Sequence, residues 1–231
     1  MNMEFWLPHH GILRRETRRL QQDPAILGIM LIGSLAGEYA TEYSDLDLYV
    51  LGGEDSFSVD WNDGVMVETT SATPESARKN LQESPMEVYR WQDAKILYDP
   101  QGLLASLTEE ARRAYEAYEP SERLRRRIAH WLVSLELKLK AALSCGDMRK
   151  AGFLAATNAW MLLEAMWAAN AQPMPPTSTA YRSHGALERY PCAEWFQALF
   201  EGTVEQRAAH ELRLIAWLVP ILKEGVGEGT F

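Results

Sequence analysis

The sequence GSLAGEYATEYSDLDLYVLGG spans residues 33–53 and contains a Gly-Ser pair followed by an Asp-x-Asp pattern. The apolar run AILGIMLIG, 25–33, leads into it and is bounded by proline and Gly-Ser, as expected of a buried strand. In DLDLYV, 45–50, acidic and apolar residues alternate, which predicts a second strand with Asp45 and Asp47 on one face. The segment therefore predicts a strand, a Gly-Ser turn and a second strand that carries two carboxylates.

Two carboxylates so close together repel each other unless a cation lies between them. A hard divalent cation prefers carboxylate oxygen, and Glu68, on the β-branched strand GVMVETT at 64–70, could supply a third ligand. Backbone N–H groups at Gly33 and the hydroxyl of Ser34 could hold phosphate oxygens. Asp-x-Asp alone also describes two solvated acids on an edge strand, but the Gly-Ser pair and the flanking apolar strands favour a metal site. Three acids, a phosphate-holding turn and two Mg²⁺ ions would suit phosphoryl or nucleotidyl transfer.

The remaining pattern of the first hundred residues mixes helices and strands. A polar first helix is predicted over 10–22, before Asp23-Pro24. Thr73 is a capping residue followed by Pro74, so a short helix should run to about residue 83. Two short strands are predicted over 87–100, around Asp93-Ala94.

From about residue 109 the sequence predicts helices throughout. Pro120-Ser121 can start a long helix whose apolar stripe runs from Leu124 to Leu143 at helical spacing, and Gly146-Asp147 ends it. Thr203 and Gln206 have the spacing of a capping box. Further helices are predicted over 149–170, 192–201 and 204–223, with a loop at 172–179. An α/β front half and a back half of four or five helices follow from these patterns.

Composition excludes several classes of protein. The 231 residues carry 23 Lys and Arg against 32 Asp and Glu, a net charge of −9, which disfavours sequence-independent nucleic-acid binding. Cys145 and Cys192 are the only cysteines, so neither a disulfide framework nor a zinc site is indicated. The N-terminal residues lack a basic-then-apolar leader, and no apolar run approaches the ~20 residues of a membrane span. We expect a cytoplasmic protein with no nucleic-acid or membrane partner.

Residues 25–72 resemble the polymerase-β-like nucleotidyltransferase superfamily, whose signature is Gly-Ser, a spacer and then Asp-x-Asp on a strand. The matching residues, position by position, are Gly33, Ser34, Asp45 and Asp47, with Glu68 where the third carboxylate is expected. The whole chain resembles the two-domain antibiotic nucleotidyltransferases that modify aminoglycosides and lincosamides. That resemblance implies an α+β fold. Residues 1–118 would form a small catalytic domain with a mixed β-sheet and flanking helices, and 119–231 an all-α helical-bundle domain that completes the substrate site.

The resemblance also implies a mechanism and a set of site residues. One Mg²⁺ would accompany ATP or another nucleoside triphosphate, and a second would help to activate an acceptor hydroxyl for attack on the α-phosphorus. Glu68 is the first candidate for a general base, with Glu136 or Glu164 of the helical half as alternatives. The expected catalytic and metal-binding residues are Asp45, Asp47 and Glu68, and the expected nucleotide-binding residues are Gly33, Ser34, Ser44 and Lys150. For Ser44 a turn role, and for Lys150 a solvated helix face, are the alternatives.

The expected activity is transfer of a nucleoside monophosphate, AMP from ATP in the first instance, to a hydroxyl of a small molecule such as an antibiotic. Two alternatives stay open at this point. An antitoxin-like nucleotidyltransferase would adenylylate or bind a partner protein, although such proteins usually consist of a lone catalytic domain. A catalytically inactive binding module would not need the three acids. The sequence leaves the oligomeric state undetermined.

Overall fold

The computed structural model describes residues 7–37 and 39–224. The chain divides into two compact units, Met1–Ala117 and Tyr118–Phe231. The division lies one residue before the boundary predicted at 118. The N-terminal leader prediction rests partly on residues 1–6, which lie outside the described residues.

The first unit combines a five-stranded sheet with short helices. In chain order its elements are α1 Leu7–Leu20, β1 Ile26–Ile32, α2 Gly33–Ala36, β2 Leu46–Gly52, β3 Ser56–Asn62, β4 Val65–Ala72, α3 Pro74–Glu83, α4 Val88–Gln92, β5 Lys95–Tyr98 and α5 Leu103–Glu116. The strand order is β3-β4-β2-β1-β5. β2 and β4 are parallel, and every other neighbouring pair is antiparallel. This mixed sheet confirms the predicted α+β class.

The two faces of the sheet bury different side chains because successive residues of a strand point to opposite sides. Leu46 and Leu48 pack with Ile12 of α1 in one apolar cluster. Tyr49 and Leu51 pack in a second cluster with residues of α3, α4 and α5. The alternation predicted for β2 is therefore confirmed, and it places Asp47 on the same side as Tyr49.

The prediction of two short strands over 87–100 is wrong in its first part. Val88–Gln92 forms α4, and only Lys95–Tyr98 is a strand. Short apolar runs do not distinguish a buried helix turn from a strand by periodicity alone. Tertiary packing favours the helix here. In α4 the side chain of Trp91 is only 2% exposed, and its ring makes an edge contact with Tyr49 at 5.3 Å between centroids.

Strand β3 has no counterpart among the predicted elements. It forms a hairpin with β4 through Asp63 and Gly64, which have φ values of 50° and 81°. An Asp-Gly pair between two strands favours such a turn, because both central residues need positive φ. Phe57, Val59 and Trp61 alternate with polar residues along β3, so its sequence has the period of a strand. The side chains of Ser56–Trp61 are nevertheless all exposed, so this alternation does not mark a buried face.

The second unit is helical, and the structure confirms its main sequence patterns. Its helices are α6 Glu122–Ser144, α7 Met148–Ala169, α8 Thr177–Ser183, α9 Trp195–Phe200 and α10 Val204–Lys223. The stripe on α6 forms the core through Ile128, Leu132, Leu135 and Leu139, which pack against α7 and α10. Ser121 caps α6, and Thr203 and Gln206 form the predicted capping box of α10.

Among the described residues, no helix is both long and apolar enough to cross a bilayer.

Candidate active site

Asp45, Asp47 and Glu68 come together in the first unit. Each offers a carboxylate oxygen, and these oxygens lie within 4.8 Å of one another. The parallel pairing of β2 and β4 places Asp47 directly opposite Glu68. Asp45 lies one residue before β2 and two before Asp47, so its carboxylate joins the same side. All three residues are partly buried and none is fully enclosed.

Gly33 makes room for one of these carboxylates. It begins α2 with a φ of +69°, a conformation that favours glycine. A Cβ added there would collide with Oδ2 of Asp47. The antiparallel pairing of β1 with β2, which sets Ile32 opposite Asp47, brings the two backbones to this position. The glycine that sequence analysis assigned to phosphate binding thus also positions a predicted metal ligand.

Ser34 follows Gly33 and has a buried hydroxyl oxygen without a hydrogen-bond partner among the described residues. A buried polar atom without a partner costs free energy unless a ligand or water satisfies it. The hydroxyl is therefore available to a polar ligand that enters beside Gly33.

Ser44 stabilises the turn that precedes Asp45. Its Oγ accepts a hydrogen bond from the backbone N–H of Thr41 at 2.8 Å. Nε2 of His9 donates to the carbonyl oxygen of Ser44, also at 2.8 Å. These contacts support the turn role for Ser44, and they show that α1 restrains the segment carrying Asp45. Sequence reasoning missed His9, which is only 4% exposed, because nothing in its local pattern indicates a contact with residue 44.

The electrostatics of the site centre on Asp47. Burial, together with the charges of Asp45 and Glu68, raises the pKa of its carboxyl group to about 7. Arg90 opposes this effect and lowers the pKa of Asp47. Three carboxyl groups with so little opposing positive charge form a site that favours a cation.

Arg90 is a second residue that sequence reasoning missed. It lies on α4, forms an ion pair with Glu87 at 3.3 Å and sits over the ring of Tyr49 at 5.3 Å from the centroid. Burial raises the pKa of Tyr49 to about 12 despite the neighbouring guanidinium. The sequence did not indicate that Arg90 lies near Asp47, because residues 87–92 were predicted as a strand rather than as part of α4.

The other predicted residues lie in the second unit. Lys150 is exposed in the first turn of α7, where Asp147 caps the helix by accepting from the backbone N–H of residue 150. Glu136 pairs with Lys140 at 2.6 Å, and Glu164 accepts from Arg127 at 2.7 Å. Each acid already has a cationic partner within its own unit, so Glu68 is the better-supported candidate for a general base.

A shallow depression of about 310 Å³ lies along α1 and is lined by Gly11, Arg14, Arg15, Arg18, Arg19 and Gln22. It contains none of the predicted site residues. The local cluster of arginines is one basic patch within an acidic chain.

No protein-family model matches this chain, and no curated protein matches it. Among solved structures, it is similar to the crystal structure of a nucleotidyltransferase-like protein from Exiguobacterium sibiricum 255-15. The two share 14% identity with a TM-score of 0.49, and the match covers 93% of this chain and 76% of that one. A likeness at this level carries no functional argument, so the case for the site rests on its own residues.

Proposed function

We propose that the chain is a metal-dependent nucleotidyltransferase that moves a nucleoside monophosphate, AMP from ATP in the first instance, to a hydroxyl group of a small molecule. The observation that carries the proposal is the carboxylate cluster of Asp45, Asp47 and Glu68, whose oxygens lie within 4.8 Å of one another. Oxygen ligands of this kind suit Mg²⁺. Metal pairs held by shared carboxylates support in-line displacement at phosphorus.

The residues present fit such an ion on two grounds. The pKa of Asp47 is raised to about 7 by burial and by its acidic neighbours, so the fully ionised cluster is unfavourable without an added cation. The hydroxyl of Ser34, next to Gly33, is buried and has no hydrogen-bond partner among the described residues. It could therefore donate a hydrogen bond to a phosphate oxygen. Together these groups would accept both a dication and the phosphate chain that it accompanies.

Each side chain would then have a distinct role. Bound Mg²⁺ would neutralise the triphosphate and lower the pKa of the acceptor hydroxyl. Asp45 and Asp47 would bind from the β2 side and Glu68 from β4. Glu68 would also accept the proton of the acceptor hydroxyl. The oxygen of that hydroxyl would bond to the α-phosphorus as pyrophosphate leaves. Lys150 of the second unit is proposed as a further phosphate contact.

The proposed acceptor is a hydroxylated and preferably cationic small molecule, such as an aminoglycoside. The net charge of −9 supports a cationic acceptor through long-range attraction. Lincosamides form the second acceptor class to test. We further propose that the helical second unit contributes to acceptor binding.

Calorimetry of ATP binding with and without Mg²⁺ tests the metal site directly. We expect measurable affinity with Mg²⁺ and a large loss in EDTA, because three carboxylates repel a triphosphate of like charge. Equal affinity in the two conditions would contradict the proposal.

A screen for AMP transfer identifies the acceptor. The full-length chain is incubated with α-labelled ATP, Mg²⁺ and a panel of aminoglycosides and lincosamides, and labelled product is separated from ATP. Asp47→Asn is the inactive control. Product that forms equally with the variant would indicate a contaminating activity rather than this site.

A further inference from the structure

Strand β3 forms one edge of the sheet, so one side of its backbone pairs with β4 and the other has no strand beside it among the described residues. Three alternate residues of this strand are large, apolar and exposed: Phe57 at 62%, Val59 at 44% and Trp61 at 71%. We call them the β3 stripe. An exposed apolar edge strand is a template for pairing with another strand.

The register places the whole β3 stripe on one face. Phe57 lies opposite Thr70, Val59 opposite Glu68 and Trp61 opposite Met66. Directly opposed residues of neighbouring strands share a face. The intervening residues Ser58 and Asp60 therefore present polar side chains on the other face. The strand is amphipathic, with both of its faces exposed.

We propose that β3 pairs antiparallel with β3 of a second copy of this chain, around a two-fold axis that passes through Val59. In this register Phe57 of each copy lies opposite Trp61 of the other, and the two Val59 residues face each other. On the opposite face, Ser58 lies opposite Asp60. Every apolar side chain of the stripe gains an apolar partner, and the pairing continues the sheet across the axis.

Neighbouring registers are less favourable. A two-fold axis at Asp60 would set two aspartates directly opposite each other, and like charges in that position are destabilising. An axis at Ser58 would set Trp61 opposite Asp55. In the Val59 register the acids beyond the strand ends also approach one another. Both are engaged within their own copy, since Asp55 accepts from the N–H of Thr73 and Asp63 pairs with Arg15 at 3.2 Å.

The area available predicts a reversible dimer. At roughly 150–250 Å² for a large aromatic side chain, the stripe offers on the order of 300–400 Å² of apolar surface per copy. With the backbone edge added, this lies at the low end of specific interfaces. We therefore expect a dissociation constant in the micromolar range, so the dimer should form and dissociate with concentration. The proposal does not depend on the nucleotidyltransferase activity.

Sedimentation velocity of the full-length chain over about 1–200 µM tests the association. We expect a shift from monomer to dimer in this range, and Trp61→Lys should remain monomeric because it places two cations in the interface. The matched control is Phe153→Lys, which changes an aromatic residue of α7 that is 68% exposed. It should dimerise like the parent chain. A monomer at all concentrations, or equal dimerisation of both variants at unchanged melting temperature, would overturn the proposal.

Cross-linking tests the register. Both native cysteines are free and exposed, so Cys145 and Cys192 are first replaced by serine. Val59→Cys would then place two thiols opposite each other, at the Cα separation of about 4.5–5.5 Å that a disulfide can span. Ser56→Cys leaves the stripe intact but puts its thiols about 20 Å apart along the strands. We expect rapid oxidation to a covalent dimer only for Val59→Cys. Equal rates for the two variants would refute this register.

Discussion

The carboxylate of Asp47 is confined by its neighbours on three sides. Gly33 leaves the space that its Oδ2 occupies, and Glu68 lies opposite on β4. Asp45 adds the third carboxylate of the cluster, and the charge of Arg90 partly offsets the effect of the acids on the pKa of Asp47. A substitution at any of these positions therefore acts on metal binding, on the backbone or on both, and the following variants separate the effects.

Amide substitutions test the cluster. Asp45→Asn, Asp47→Asn and Glu68→Gln should each lower the transfer rate by about a thousandfold or more, because metal clamps contribute several kcal/mol to transition-state stabilisation. The amides are close in size to the acids, so the fold should persist. The measurement is kcat with the acceptor found in the screen, together with the melting temperature.

Asp60→Asn is the matched control for these amides, because Asp60 lies opposite Val67 and thus on the other face of the same sheet. It should keep the parental rate.

The pH profile of the transfer rate then distinguishes the two possible roles of Glu68. If Glu68 is only a metal ligand, excess Mg²⁺ should partly restore the transfer rate of Glu68→Gln. If Glu68 is the general base, the rate of the variant should recover only as rising pH ionises the acceptor hydroxyl. Parental rates for Asp45→Asn or Asp47→Asn would end the assignment.

Gly33→Ala should lower both stability and metal affinity. Its φ of +69° costs an alanine roughly 1–2 kcal/mol, and the added Cβ displaces the Asp47 carboxylate. Gly53→Ala separates the two effects, because Gly53 has the same φ but nothing within 4 Å of an added Cβ. We expect similar backbone costs in both and a further loss of Mg²⁺ affinity only at Gly33, measured by denaturation and calorimetry. Equal metal affinity in both variants would contradict this role of Gly33.

The pKa of Asp47 predicts how the stability of the metal-free protein changes with pH. The folded value of about 7 exceeds the ordinary 3.8, so the contribution to stability is complete below about pH 4 and is lost as the pH rises through 7. One pKa unit corresponds to about 1.4 kcal/mol, and solvent screening reduces this at a partly buried group, so we expect a loss of about 2 kcal/mol. In EDTA, Asp47→Asn should be more stable than the parent at pH 8 and comparable at pH 4. If the stabilities of the parent and of Asp47→Asn depended on pH in the same way, the raised pKa of Asp47 would be refuted.

Helix α10 contains the most deeply buried acid among the described residues of the second unit. Glu211 is 0% exposed, and neither of its carboxylate oxygens has a hydrogen-bond partner among the described residues. Burial raises its pKa to about 7, and Arg207 one turn earlier lowers it only in part. The helix thus carries an acid that is favourable in its neutral form.

Glu211→Gln should therefore remove a pH dependence from folding stability. The contribution of neutral Glu211 is complete below about pH 4.5 and is lost as the pH rises through 7, which amounts to about 3 kcal/mol. The variant should match the parent near pH 4.5 and exceed it at pH 8.5 in urea denaturation. Glu201→Gln, an exposed acid after α9, is the control and should keep the parental slope. A variant less stable than the parent at pH 8.5 would contradict the assignment.

Each unit has its own apolar clusters, two around the sheet and one within the helices. A chain that ends at Ala117 should therefore fold and keep the metal-dependent binding of ATP, because the acid cluster and Gly33 lie within it. Transfer to the acceptor should be lost if the second unit contributes to that site. Calorimetry and the transfer assay measure the two properties. Full transfer by the shortened chain would refute the proposed role of the helical unit.

Local patterns in the sequence were enough to predict the buried strand before Gly33, the alternation of β2, the stripe on α6 and the capping box of α10. These features depend on residues a few positions apart, whose geometry is fixed by the period of a strand or helix. The same period put Asp45 and Asp47 on one side. Local patterns of this kind do not identify which strands pair with each other in the sheet.

Only the tertiary structure set Glu68 opposite Asp47, pressed Gly33 against the Asp47 carboxylate and brought Arg90 and His9 to the site. The parallel pairing of β2 with β4 joins strands that β3 separates in sequence, and it also leaves β3 at the edge with its apolar stripe exposed. Such contacts result from the packing of distant segments, where the burial of whole faces outweighs local preference. The sequence supplied the chemical groups of the site, and long-range packing set the distances between them.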